Sequence, residues 1–202
     1  MTSTATVSDE VGAADPRLEP AGLMARYCEG DRRAFDRLYA LVAPRLLGYL
    51  RGIVGDRATA EDVLQQTFIK LHQARESYIR GADPVPWIYT IAQRSCLDEL
   101  RRQKRSRLRW NTDDAGTPVP VVDITGAAPD ADVGPDLELV ARGMKALDRL
   151  PERQRQAVLL TKLEGRSTAE AAAILGTSAG AVKLRAHRGY VALRRMLGAG
   201  PQ

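Results

Sequence analysis

Ser167-Thr-Ala-Glu-Ala-Ala-Ala-Ile-Leu-Gly-Thr-Ser-Ala-Gly-Ala-Val-Lys-Leu-Arg-Ala-His-Arg-Gly-Tyr190 is a short apolar helix, a Gly-containing turn and a longer basic helix. Ser167 or Thr168 caps the first helix, and Ser178 caps the second, which runs to about Leu197. The spacing is that of a helix-turn-helix. In the second helix Ala179, Val182, Ala186, Gly189 and Leu193 share one face at 100° per residue, the face expected to pack. Lys183, Leu184, His187 and Arg188 lie opposite, with Arg185 flanking, and no acid follows Ser178 to the end of the chain. Such a face fits a major groove, where Arg pairs with guanine edges and an exposed Leu184 meets a thymine methyl. Tyr190 reads as a packing residue. Upstream, Leu137, Val140, Met144 and Leu147 mark one helix, and residues 152–163 a second that ends at Gly165.

Charge divides the 202 residues more sharply than the net +5 suggests. Residues 1–20 carry Asp9, Glu10, Asp15 and Glu19 against Arg17 alone, and residues 111–136 carry six Asp and four Pro with no Lys or Arg. Between and after them, residues 21–110 (17 basic, 10 acidic) and 137–202 (12 basic, 5 acidic) are both cationic. The reading is a disordered N-terminal tail (1–20), a helical domain (21–110), an acidic, mobile tether (111–136) and a helix-turn-helix domain (137–202). Two cationic bodies favour a polyanionic partner. The 44% apolar and 27% charged composition is that of a globular chain, without a membrane-length apolar run or a secretory leader, so a cytoplasmic protein is expected. Cys28 and Cys96 stand far apart in sequence and read as reduced thiols; with only His72 and His187 besides, no metal, cofactor or small-molecule substrate is expected.

The first body reads as wholly helical. Helices are expected at about 21–29, at 32–54 with Phe35, Leu38, Tyr39, Val42, Leu46, Tyr49, Leu50 and Ile53 at core spacing, and at 60–74 capped by Thr59. In the third, Leu64, Thr67, Phe68 and Leu71 form the core stripe, while Asp62, Gln65, Gln66 and Ile69 cluster opposite. An ordinary solvated face with one stray apolar residue fits this pattern, and so does a protein-binding face. After the loop Glu76–Asp83, Asp83 caps a fourth helix that tolerates Pro84 and Pro86 only in its first turn. Ile88, Tyr89, Ala92, Cys96 and Leu100 make its buried side. Arg94, Leu97, Arg101, Lys104 and Arg105 make a separate ridge suited to phosphate contacts.

With these parts in order, the chain resembles the extracytoplasmic-function (ECF) group of sigma-70 family sigma factors, over about residues 21–108 and 137–197. The strings that carry the resemblance are AEDVLQQTFIKLH (60–72), PWIYTIAQRSCLDELRR (86–102) and LPERQRQAVLLTKLEGRSTAEAAAILGTSAGAVKLRAHRGY (150–190). It implies an all-α protein of two helical domains, sigma-2-like and sigma-4-like, joined by a flexible linker. It implies a non-enzymatic initiation factor whose partners are core RNA polymerase and promoter DNA. Asp62, Gln65, Gln66 and Ile69 would meet the clamp helices of the largest subunit, and the second domain the flap of the second-largest. Tyr78, Trp87, Arg94, Arg101, Lys104 and Arg105 would capture and melt the minus 10 element, an extruded base being held in a pocket. Ser178, Lys183, Leu184, Arg185, His187 and Arg188 would read minus 35. The linker would lie near the active-site and RNA-exit channels of polymerase. An anti-sigma factor would hold the protein inactive. The family's Phe-Arg-Thr before the Trp is replaced by Pro84-Val85-Pro86, and its Arg-Asn pair by Gln93-Arg94; Ala181 and Leu184 replace a frequent Thr and Ser. Similar replacements occur in subgroups held by membrane-embedded anti-sigma proteins.

Two rivals remain open at this level. One is a helix-turn-helix regulator that binds operators without polymerase; the Asp62 face separates the two. The other is an enzyme or ligand sensor working through Cys28 or Cys96.

Overall fold

The computed structural model describes residues 19–110 and 135–198, with side chains over 19–106 and 142–198. The N-terminal tail and almost all of the acidic tether fall outside the described residues. Eight α-helices occupy the described chain: α1 (Pro20–Cys28), α2 (Arg32–Val54), α3 (Arg57–Ala74), α4 (Pro84–Trp110), α5 (Pro135–Asp148), α6 (Glu152–Val158), α7 (Thr168–Leu175) and α8 (Ala179–Met196). A 3-10 turn (Arg75–Ser77) follows α3, and a π-helical turn (Leu159–Leu163) extends α6. No described helix is long and apolar enough to cross a membrane.

Local chemistry sets the helix ends. Asp31 accepts hydrogen bonds from the amides of Arg33 (3.0 Å) and Ala34 (3.3 Å) at the start of α2, and Arg26 holds its carboxylate at 2.5 Å. The Arg26 hydrogen bond, with those amides, lowers the Asp31 carboxyl below its ordinary value. Helix α2 continues unbroken through Pro44 to Gly55, whose φ of 86° closes it. The cap of α3 differs from the Thr59 expected: Asp56 accepts from Thr59 N at 2.8 Å, so the helix begins at Arg57. A carboxylate meeting an orphan amide is a strong N-cap, and it captures the turn before Thr59 can. Asp83 receives Val85 N at 2.9 Å at the head of α4, as the sequence indicated.

Helices α1–α4 enclose one core around Leu23, Met24, Leu38, Leu46, Leu50, Ile53, Leu71 and Ile88. Within it the fully buried Tyr49 hydroxyl donates to Gln93 Oε1 at 2.6 Å, which satisfies two polar groups that burial would otherwise penalise. Tyr39 is not part of this core. It is 41% exposed, at the edge of the stripe where helical spacing alone does not tell inside from outside.

In the second unit, α6 packs on α8 around Ala157, Val158, Val182 and Ala186. Gly189 lies so close to α6 that a Cβ there would meet Val158 Cγ2 at 2.7 Å. Ala179, assigned to the packing face by periodicity, is exposed because α8 has only begun there and lies beyond its neighbours. Tyr190, read as packing, is 45% exposed, with the Lys162 ammonium 5.8 Å from its ring centre. The buried apolar residues of the two units form one continuous cluster, because α2 and α4 pack against α6, its π turn and α7.

Candidate functional site

Three exposed surfaces stand out from the packing just described. The first is built by α3. Its side toward the core buries Val63, Leu64, Thr67, Phe68 and Leu71, which leaves Asp62, Gln65, Gln66 and Ile69 outside, Ile69 at 42% exposure. The four straddle a ridge between two clefts. Gln65 and Ile69 border an apolar groove lined by Tyr27, Phe35, Tyr39, Leu47 and Phe68. Asp62 and Gln66 border a polar cleft shared with Lys70, Asp98, Arg102 and Arg105. Helical periodicity hides this groove, because it puts Phe35 and Tyr39 on the core stripe of α2. Its aromatic walls are rigid: Tyr39 and Phe68 centroids lie 4.6 Å apart, and Phe35 meets Phe68 edge-on at 6.0 Å. Below them the Tyr27 hydroxyl hydrogen-bonds His72 Nδ1, tying α1 to α3, and burial raises the Tyr27 phenol above its ordinary value. An amphipathic partner helix fits such a groove through one or two apolar anchors.

The second surface begins in the loop after α3. The Tyr78 and Trp87 rings lie 5.8 Å apart at 31°, and the Tyr78 hydroxyl donates to the Ala82 carbonyl, which closes the loop on itself. Both rings are half-buried, leaving a face toward solvent, and Ile79 between them in sequence is 77% exposed. Paired half-buried aromatics on the same element as a row of cations suit unstacked bases. Along α4, Arg94, Arg101, Lys104 and Arg105 are exposed as the ridge required, with Leu97 half-buried among them. The cations differ in what engages them. Arg102 is bound bidentately to Glu99 at 2.8 and 2.9 Å, and this pairing depresses the Glu99 carboxyl. Arg101 has only an open contact with Asp98 at 3.6 Å, between groups more than 60% exposed. Arg94, Lys104 and Arg105 pair with no acid among the described residues.

The third surface is the outer side of α8. Ser167 and Glu170 form a reciprocal capping box on α7, with Ser167 Oγ receiving Glu170 N at 3.1 Å and Glu170 Oε2 receiving Ser167 N at 2.9 Å. Those bonds hold the Glu170 carboxyl below its ordinary range. Gly176 takes φ 60° in the turn, which L side chains rarely adopt, and Ser178 Oγ then receives Ala181 N at 3.2 Å to start α8. Lys183, Leu184, His187 and Arg188 are exposed together, while Arg185 is half-buried at the margin. Ser178 is therefore occupied as a cap, and the first turn of α8 offers backbone amides more than side chains.

Neither thiol looks like a nucleophile. Burial pushes Cys96 up to about 12 and raises Cys28, whose Sγ donates to the Arg75 carbonyl at 3.4 Å.

Residues 38–106 match the family model Sigma-70 region 2, and residues 144–193 match Sigma-70, region 4. Similar relatives include the RNA polymerase sigma factor CarQ of Myxococcus xanthus, 41% identical over 87% of this chain and 95% of that protein. The ECF RNA polymerase sigma factor SigM of Mycobacterium tuberculosis is 33% identical over 88% of this chain and 84% of its own length. Among solved structures, CnrH in complex with the cytosolic domain of CnrY has a TM-score of 0.65 at 26% identity, covering 90% of this chain and 99% of that one. The sigma factor RpoE of Bartonella quintana, bound to the anti-sigma factor NepR, has a TM-score of 0.62 at 28% identity, covering 83% and 98%. Two family models in chain order, and relatives that share nearly the whole length, agree with the helices and the exposed faces: this chain belongs to the sigma-70 family, in its extracytoplasmic-function group.

Proposed function

We propose that this chain lends promoter specificity to core RNA polymerase through three surfaces. As a sigma factor it is an initiation factor and not an enzyme. Its contribution is binding energy, spent on holding an opened duplex.

In this reading the α3 ridge of Asp62, Gln65, Gln66 and Ile69 docks on the clamp helices of the largest polymerase subunit. The aromatic groove beside it receives an apolar anchor, and the second unit rests on the flap of the second-largest. Tyr78 and Trp87 hold an extruded minus 10 base, while Arg94, Arg101, Lys104 and Arg105 grip the backbone beside it. Residues 111–136 then pass as a tether near the active-site and RNA-exit channels. Lys183, Leu184, His187 and Arg188, with Arg185 at the rim, read minus 35 from the major groove. The region-2 unit thus spans about 21–110 and the region-4 unit 137–202. The carrying observation is that one chain presents an amide-and-isoleucine ridge beside an aromatic groove, together with two separate cationic helix faces.

Regulation by occlusion accompanies this function. RpoE and CnrH were each solved with a protein bound, NepR described as an anti-sigma factor and CnrY through its cytosolic domain. An anti-sigma factor, membrane-anchored as in the subgroups with similar replacements around Pro86-Trp87 and in the string from Val182 to Gly189, would mask the α3 ridge and α8 and keep the protein silent in the cytoplasm.

Run-off transcription with purified core polymerase on genomic fragments tests the proposal. Specific transcripts that require this chain are expected. Tight, sequence-specific duplex binding by the protein alone, without transcripts, would favour the polymerase-independent regulator instead.

A further inference from the structure

Past the point where α6 leaves the core, one lysine stays on the side that faces α8. Gln154, Val158 and Lys162 recur at i, i+4 and i+8 along α6 and its π turn. The first two close on α8 at Gly189, where an added Cβ would lie 3.3 Å from Gln154 Cβ and 2.7 Å from Val158 Cγ2. One residue further along α8, Lys162 comes over the Tyr190 ring, with its Nζ 5.8 Å from the ring centre. The buried contact ends there, because Tyr190 is 45% exposed and Lys162 is exposed as well. The π turn itself, with Glu164 N bonded to the Leu159 carbonyl at 2.9 Å, is a departure from the α-helix of the kind that recurs at functional sites.

Neither polar head of this pair has a hydrogen-bonding or ionic partner among the described residues. Glu164, the acid nearest Lys162 in sequence, turns away and receives the Tyr89 hydroxyl at 2.6 Å. Tyr27, Tyr49, Tyr78 and Tyr89 all engage their hydroxyls within the chain, on His72, Gln93, the Ala82 carbonyl and Glu164. Tyr190 does not. A cation at this distance from a ring is held loosely in place, and its three donors remain open to a ligand.

The pair continues the outer side of α8. Lys183, His187 and Tyr190 stand at i, i+4 and i+7 on one ridge, and no acid lies on this helix. With 3.6 residues per turn, Tyr190 falls about 60° past His187, on the margin opposite Arg185. A helix roughly 10–12 Å across with its side chains fills a major groove about 12 Å wide, so side chains at its two margins meet the groove walls rather than base edges. Those walls are phosphate. An ammonium beside a phenol hydroxyl is a donor pair suited to phosphate oxygens.

We propose that Lys162 and Tyr190 form a clamp on one backbone phosphate at the wall of the minus 35 groove. The ring places the ammonium, and the clamp sets the depth and register at which Lys183, Leu184, His187 and Arg188 meet the bases. Both are positioning residues and carry no base preference of their own. The clamp deepens the initiation-factor reading above and rests on its assignment of α8 to minus 35. It also brings the π turn, which lies outside the helix-turn-helix, into contact with DNA.

The test uses holoenzyme assembled from core polymerase and the full chain, on a promoter recovered by run-off transcription, with single phosphates of the minus 35 element replaced by neutral methylphosphonates. Lys162→Gln should leave the melting curve of the chain unchanged and weaken binding at least about threefold on matched and mismatched minus 35 sequences alike, with a salt dependence shallower by about one counterion. One methylphosphonate that weakens the parent by a similar factor should have no effect on Lys162→Gln, which keeps the parent's sensitivity at the other positions. Tyr190→Phe retains the ring beneath the ammonium and should lose at least about twofold, coupled to that same phosphate. Lys162→Arg should restore the sensitivity. Parent-like binding by Lys162→Gln, a loss that no methylphosphonate masks, or a loss confined to the matched sequence overturns the clamp. If the parent holoenzyme binds no promoter, the initiation-factor reading fails and the clamp falls with it; a parent that binds without the coupling overturns the clamp alone.

Discussion

At the scale of single residues, exposure decides which changes should touch binding and which should touch stability. Ile69 is 42% exposed and borders the aromatic groove, so Ile69→Ala with Gln65→Ala should cut core-polymerase capture at least about tenfold while leaving the melting curve nearly unchanged. A pull-down at unchanged affinity would remove the clamp assignment. Arg188 is exposed on the outer side of α8, and Arg188→Ala should cost about 1–3 kcal/mol of promoter discrimination if it reads a base edge. If it grips phosphate instead, binding weakens alike on all sequences and the salt dependence falls, which titration against matched and mismatched duplexes distinguishes. The amphipathic placement of Asp62, Gln65, Gln66 and Ile69 was legible because a 3.6-residue period separates inside from outside on a central helix. Tyr39 was not legible. It sits at the edge of the α2 stripe, and whether an edge position is covered depends on how α1 and α3 lean across it, which no local pattern encodes.

At the scale of the helix, termini and close approaches set the stability. Ser178 is exposed and makes one capping bond to Ala181, so Ser178→Ala should cost about 1 kcal/mol, read by denaturant unfolding, and should fray the turn that presents Lys183 and Leu184. Gly189→Ala is a different kind of defect. The added methyl would meet Val158 Cγ2 at 2.7 Å and the Gln154 carbonyl oxygen at 3.3 Å, and two packed helices must separate to admit it. A loss of about 1–3 kcal/mol is expected, and weaker minus 35 duplex binding would follow if α8 is the reading helix, although the substituted position faces α6. The helix-turn-helix was readable because its signals are local: two serine caps and a glycine between them. The helix α3 begins three residues before the point that the Thr59 signal indicates, because only the geometry after Gly55 aims the Asp56 carboxylate at Thr59 N.

At the scale of the whole molecule, acid should loosen the protein through a small set of carboxylates. Asp31, Glu99 and Glu170 all titrate below their ordinary values because arginine or amide hydrogen bonds favour the charged form. A depressed folded-state value means that the stabilisation is present in full above the ordinary carboxylate range. It is lost as pH falls through the lower folded values, so the melting temperature should hold from neutrality to about pH 5 and drop below about pH 4. Scanning calorimetry across that window measures it, and a flat profile would show that these bonds are not net stabilising. The division into two cationic bodies was visible in the charge distribution. That the bodies share a core was not, because a glycine on α2 and a leucine over a hundred residues later have no pairwise signal in one sequence.

The thiol of Cys96 adds a consequence for chemistry in a stressed cell. Burial holds its proton well above neutrality and leaves no exposed sulfur, and peroxide attacks thiolates rather than thiols. Oxidants should therefore pass this buried position by, and any that reach the chain should meet the half-buried Cys28 first.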